Sequence, residues 1–153
     1  MTQSALAGLR ILDMTQIAAG PYATLLLGFM GAEIIKVESC ARMDINRGSA
    51  RPSPESYRMY PQGIPGERPW NRAAHHIQRN VNKRSLTLDL ASTPGKELFF
   101  QLAAICDALF ENYRASVLDR LGLGYAELGR VNPQLVYVKI SSQGANGPEK
   151  DYG

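Results

Sequence analysis

Arg42, Arg47, Arg51 and Arg58 recur at short intervals in this 153-residue chain. A guanidinium donates in a fixed fork that matches phosphate and carboxylate oxygens, so this set could reach an anionic ligand. A solvated surface loop would have the same composition. His75-His76 offers two imidazoles side by side, but adjacent residues point in different directions on a helix or strand, and both rarely ligate one metal. They read as ordinary polar residues. Cys40 and Cys106 are the only thiols, and they read as reduced bystanders, not as a disulfide or a metal site.

The elements that would position such groups begin at Leu9–Cys40. Leu9, Ile11 and Leu12 start a strand that Asp13-Met14-Thr15 ends. Gly20-Pro21 breaks the extended run, and a proline suits the start of a helix, where its missing N–H costs nothing. Tyr22–Met30 is apolar nearly all round, which predicts a buried helix. Gly31 fits the position past a helix end. Glu33–Glu38 returns as a second strand. Two strands joined through a helix lie parallel, and open parallel sheets bind ligands at the carboxyl ends of their strands. Thr15–Pro21 and Glu38–Asn46 are therefore the expected neighbourhood of a site.

Residues 41–80 change character. Pro52, Pro54, Pro61, Pro65 and Pro69 interrupt them, and seven arginines face three acids. No periodicity is visible, so the stretch is expected to be a long irregular Arg/Pro-rich loop, functional or disordered, with Tyr57, Tyr60 and Trp70 packing part of it. Ser85–Leu90 alternates with period two and predicts a strand. Thr93 and Pro94 suit the N-cap and first position of a helix. Its apolar face is expected to run through Leu98, Leu102 and Ile105, widened by Phe99 and Cys106. Ala108–Tyr113 is a short strand, Arg114–Leu121 a short helix stopped by Gly122-Leu123-Gly124, and Tyr125–Arg130 a further helical turn. Leu135–Ser142 is the last strand. Strands alternating with helices predict an α/β fold, a Rossmann-like mainly parallel sheet with flanking helices. No G-x-G-x-x-G follows the first strand, so a nicotinamide or flavin site has little support.

Composition narrows the function further. Hydrophobic residues make up 44% of the chain, enough for a core, and the net charge is only +3. Nucleic-acid binding would call for a denser basic stripe with interleaved aromatics. The N-terminus lacks a signal peptide's basic and apolar regions, and Leu25–Met30 is too short to span a membrane. These features predict a cytoplasmic protein with no nucleic-acid or membrane partner and no metal.

Four motifs in order carry a family resemblance. They are GLRILDMTQIAAGPYATLLLGFMGAEIIKVE, NKRSLTLDL, ALFENYRASVLDRLGLGY and LGRVNPQLVYVKISSQGANGP. Together they resemble the class III coenzyme A transferases (CaiB/BaiF type), the family of formyl-CoA transferase, carnitine CoA-transferase and α-methylacyl-CoA racemase. The resemblance covers nearly the whole chain except the 41–80 loop. It implies the N-terminal part of a larger coenzyme A-binding domain, with residues 1–153 all belonging to that part. The implied activity moves coenzyme A between an acyl-CoA and a carboxylic acid. Intact relatives form interlocked homodimers. The implied coenzyme A contacts are Ile17, Ala18 and Ala19 in the first turn, Leu88 at a strand end, Asn112 and Tyr113 around the adenine and pantetheine, Val117 as a small contact and Arg120 facing phosphate. Arg114 and Arg120 could indeed pair with phosphates. Against this, Arg120 could make a surface salt bridge to Asp119 or Glu127, and Asn112 could be a turn residue bonding its own backbone.

The chain departs from the family pattern in three ways. Ser39-Cys40 stands where relatives often carry an arginine or proline, so Arg42 or Arg47 is the expected substitute for a phosphate contact. Glu111–Ser116 lacks the proline and glycine of the family's turn. The family's nucleophile is an aspartate that takes the acyl group as a mixed anhydride, and it lies beyond the last motif. Asp13, Asp44, Asp89, Asp107, Asp119 and Asp151 do not occupy its place, and Asp13 reads as structural. The chain is thus expected to be an N-terminal fragment, inactive alone. An α-methylacyl-CoA racemase-type enzyme and a non-catalytic coenzyme A-binding remnant remain alternatives.

Overall fold

Five short strands build one sheet. They are β1 (Arg10–Asp13), β2 (Glu33–Glu38), β3 (Lys83–Thr87), β4 (Ala108–Glu111) and β5 (Val136–Lys139). In the computed structural model, which describes residues 4–144 and 146–150, the spatial order is β3-β2-β1-β4-β5. Every neighbouring pair is parallel. The order reverses between β1 and β4, and such a switch point is where open parallel sheets hold ligands.

The helices are α1 (Ala19–Phe29), α2 (Ala74–Asn80), α3 (Thr93–Ala104), α4 (Val117–Leu121) and α5 (Tyr125–Val131). Successive strand residues face opposite sides, and the two sides have different cores. Ile11, Ile34 and Ala108 face one way, with Ala32, Leu27 and Leu6. Leu12, Met14 and Leu109 face the other way, onto Phe99, Ala103, Leu118, Leu123 and Leu128 from α3, α4, α5 and the link between α4 and α5. The fold is the α/β arrangement the alternation predicts.

Four expectations change in detail. Helix α1 buries only one face, through Gly20, Pro21, Thr24, Leu25 and Gly28. Tyr22, Leu26, Phe29 and Met30 are exposed. The sequence there is apolar on every side, so it held no information about which side faces the sheet. In α3 the buried positions are Gly95, Phe99 and Ala103, whereas Leu98 and Ile105 are exposed. Of the expected face, Phe99 and Cys106 are buried as expected, and the buried stripe is centred on them and not on Leu98 and Ile105, because large and small apolar residues occupy adjacent faces. The α3 cap is Ser92, whose Oγ accepts from Gly95 N at 3.1 Å, and Thr93 is already helical. Residues 41–80 are not irregular throughout. They hold 3-10 turns at Pro54–Met59, Pro61–Gly63 and Pro69–Asn71, followed by α2, which packs on α1.

One close approach ties β1 to α1. An added Cβ at Gly20 would lie 2.4 Å from Thr15 Cβ, so only glycine admits the turn that follows β1.

Candidate functional site

The carboxyl ends of the strands open into a cleft of about 770 Å³, within the usual size of a small-molecule pocket. Met14 follows β1. Val37 and Glu38 end β2, with Ser39, Ala41 and Arg42 after them. Leu88–Ala91 follow β3, Asn112–Arg114 follow β4, and α4 adds Val117, Leu118, Arg120 and Leu121. The wall is largely aliphatic, and Arg42, Arg114 and Arg120 bring positive charge to it. An apolar trough bordered by guanidinium groups suits a ligand with a hydrophobic arm and phosphates.

Of the residues the family resemblance points to, Leu88, Asn112, Tyr113, Val117 and Arg120 line this cleft. Ile17, Ala18 and Ala19 do not. They form the turn into α1, which follows the central strand β1. Asn112 joins the two groups. Its Oδ1 accepts from Gln16 N at 2.7 Å and its Nδ2 donates to Gln16 O at 2.8 Å. The expected alternative, a bond to its own turn, is not what the amide does. Tyr113 is half-buried. Burial pushes its phenol up, partly offset by a hydrogen bond with the Gln16 side chain. Its N–H donates to Glu111 Oε2 at 2.7 Å. Lys139 lies 3.6 Å from Glu111 Oε1 and also donates to the Ala115 carbonyl. Glu111 is fully buried, and burial raises its pKa against the pull of Tyr113 N–H and Lys139. This clamp shapes the turn that lacks the family's proline and glycine.

Arg120 is exposed and donates to Ser116 Oγ at 3.0 Å. Among the described residues it forms no ion pair, so neither Asp119 nor Glu127 neutralises it. Arg42 is also exposed, with its N–H on Ser39 Oγ at 3.0 Å. Arg47 differs. It makes a forked pair with Glu38, Nε to Oε1 at 2.9 Å and Nη2 to Oε2 at 2.6 Å, and Nη1 reaches Asn71 Oδ1 at 2.5 Å. Arg47 is thus occupied inside the protein, and of the two expected substitutes only Arg42 remains at the cleft.

The floor beneath the turns is a set of buried ion pairs that sequence reading did not find. Lys83 Nζ sits 2.8 Å from Asp13 Oδ2, with both side chains almost fully buried. Asp13 also accepts from Thr15 N (2.9 Å), Thr15 Oγ1 (2.5 Å) and Thr24 Oγ1 (2.7 Å). Its expected structural role holds. Lys36 Nζ donates to Thr15 O at 2.6 Å and lies 3.2 Å from Asp44 Oδ2, an ion pair by distance. Lys83 and Asp13 are 70 residues apart and Lys36 meets Asp44 across the end of β2, so only charged residues within otherwise apolar strands hinted at the pairs.

Glu38 has a consequence that can be measured. Burial raises its carboxyl, but Arg47's hydrogen bonds, the Asp44 N–H and the charges of Arg47 and Lys36 outweigh this and bring it down to about 2. A carboxyl depressed on folding stabilises above its ordinary range and loses that contribution as pH falls through the folded value. Stability is therefore expected to drop between about pH 4.5 and about pH 2, by ~3 kcal/mol from this group. Urea unfolding across that range should show the drop, and Glu38→Gln should flatten it.

His76 is buried on α2, bonded to Asn80, and burial lowers its pKa. Cys106 is buried and its thiol is pushed up to about 11 by that burial, the mark of an inert thiol. Among the described residues no group of three His, Cys, Asp or Glu could hold a metal ion. None of their helices is long and apolar enough to cross a membrane. Asp151 lies outside the described residues.

The chain matches known proteins along nearly its whole length. The model of CoA-transferase family III matches residues 6–153. A formyl-CoA:oxalate CoA-transferase of Afipia carboxidovorans is 37% identical over 147 residues, 96% of this chain and 31% of that protein. A succinyl-CoA:glutarate CoA-transferase of Mus musculus is 35% identical over 143 residues, 94% of this chain and 29% of that protein. The crystal structure of a CaiB/BaiF family protein from Brucella suis superimposes with a TM-score of 0.83 at 34% identity, over 99% of this chain and 37% of that one. The chain spans about a third of the length of the curated relatives it matches.

Proposed function

We propose, since this chain belongs to CoA-transferase family III, that it supplies the coenzyme A-binding part of an enzyme moving coenzyme A between an acyl-CoA and a carboxylic acid. The observation that carries this reading is the cleft at the ends of β1–β4, where Leu88, Asn112, Tyr113, Val117 and Arg120 come together. Its chemistry suits such a ligand. The aliphatic wall of Val37, Leu88, Val117 and Leu121 suits the pantetheine arm. Arg42 and Arg120 suit phosphates, and Tyr113 with the turn at Ile17, Ala18 and Ala19 suits the adenine. In the proposed reaction the coenzyme A sulfur leaves one acyl carbon and becomes bonded to another. The residues of this chain bind and orient the nucleotide while that exchange occurs. Relatives named for oxalate and glutarate transfer favour a carboxylic acid as the acceptor.

Binding and transfer separate in these 153 residues. Asp13 and Asp44 are sealed in buried ion pairs. Asp89 accepts from Ala91 N at 3.0 Å and Asp107 from Arg10 N at 2.7 Å. The two ion-paired carboxylates are closed to an acyl group, and the chain assayed alone is expected to bind coenzyme A in a calorimetric titration and to leave acyl-CoA and free acid unexchanged. Absence of saturable binding by folded protein would overturn the reading. Turnover that survives repurification would overturn the separation of binding from transfer.

A further inference from the structure

Ile17 is a side chain branched at Cβ held at φ 70°, a conformation such residues rarely adopt. Its side chain is 56% exposed, so its own burial does not keep it there. Side chains from distant elements do. Asn112 holds both backbone groups of Gln16. Asn46 donates Nδ2 to the Ile17 carbonyl, and its Oδ1 accepts from Arg79 Nη1 of α2 at 3.1 Å, which orients the amide. Asp44 Oδ1 accepts from Asn46 N at 3.0 Å and lies 3.5 Å from Ile17 N, a long contact. The turn that this set grips stands between β1 and β4, where the strand order reverses. Strained backbone of this kind persists where its surroundings over-determine it, and it concentrates at functional sites.

We propose that Asp44, Asn46 and Asn112 are positioning residues that hold the Gln16–Ile17 turn, with Ile17 in the left-handed region, ready to receive coenzyme A. The proposal rests on the coenzyme A reading of the site. It gives part of the long 41–80 segment a defined task, since Asp44 and Asn46 belong to it and Arg79 closes the set from α2. Asn46 is the informative member because it does not line the cleft and acts through the Ile17 carbonyl.

A two-by-two set of variants tests it, with folding verified by circular dichroism. Asn46→Ala is expected to weaken coenzyme A binding by about tenfold, the loss of one hydrogen bond to a strained conformer. Glycine enters the left-handed region freely, so in an Ile17→Gly background the same Asn46→Ala change is expected to cost less than about threefold. Equal losses in both backgrounds, or no loss in the first, would overturn the proposal. Amide exchange at Gln16 and Ile17, read without ligand, keeps it apart from the function reading. Exchange is expected to quicken in Asn46→Ala and in Asn112→Ala, which removes both the acceptor for Gln16 N and the donor to Gln16 O, and unchanged exchange in both overturns the clamp even if coenzyme A binds. Failure of the wild type to bind while its exchange obeys this pattern overturns the coenzyme A reading and, with it, the purpose assigned to the clamp.

Discussion

Asp13→Ala is expected to cost about 3–5 kcal/mol of folding stability, the usual result of leaving a buried charge without its partner. Domains of this kind are stable by only about 5–15 kcal/mol, so the variant should unfold at a much lower urea concentration. The physical reason lies in what Asp13 holds. Its two oxygens take Lys83, Thr24 Oγ1 and both the N–H and hydroxyl of Thr15. Lys83 also donates to Pro21 O and Thr24 Oγ1, each at 2.8 Å. Burial, helped by the nearby Lys36 charge, lowers the Lys83 ammonium, and the Asp13 charge and hydrogen bond oppose that. Without Asp13 the ammonium either stays charged in an apolar site or gives up its proton, and both cost stability. Lys83→Met is expected to do less harm, because the Asp13 carboxylate keeps its hydroxyl and amide donors. The double variant should recover part of the Asp13→Ala loss, since the orphaned cation is gone. Urea unfolding of the three proteins checks the order. A harmless Asp13→Ala would show that the pair contributes nothing.

Arg120→Ala is expected to weaken coenzyme A binding by about tenfold or more, the worth of a charge-assisted hydrogen bond to phosphate. Arg130→Ala should change little. Both arginines are exposed, and removing either changes the net charge equally, so long-range attraction falls alike in the two variants. They differ in place, because Arg120 lines the cleft and Arg130 does not. Arg42→Ala should behave like Arg120→Ala, and Arg47→Ala should act on folding instead, because its guanidinium is bound to Glu38 and Asn71. Calorimetric titration of the folded variants measures these differences, and equal affinities for Arg120→Ala and Arg130→Ala would reject the phosphate contact.

The strands were legible because their signal is local. Glu33–Glu38, Ala108–Glu111 and Val136–Lys139 carry runs of apolar and β-branched residues bounded by polar or turn residues. Ser85–Leu90 pointed to the right strand, but pairing with β2 shifts it to Lys83–Thr87. Helix α2 was not legible. Ala74–Asn80 has one large aliphatic residue, Ile77, and it is exposed; the helix is held by packing on α1 and by the Asn46–Arg79 contact. Burial in α1 could not be read from residues apolar on every face. The site was legible in part through motifs, which brought out Asn112 and Arg120 but not their partners. Gln16 lies 96 residues from Asn112 and Asp13 lies 70 from Lys83. Such pairings depend on the strand order, which no local pattern encodes.

The most direct test follows backbone amide resonances of labelled protein while coenzyme A is added. Saturable shifts are expected at Leu88, Asn112, Tyr113, Val117 and Arg120 along the cleft, and at Ile17, Ala18 and Ala19 in the turn that Asn112 holds. The opposite end of the sheet, at Asn82 and Arg84, should stay silent. Shifts confined to that opposite end, or none at any ligand concentration, would contradict a coenzyme A site at the carboxyl ends of the strands.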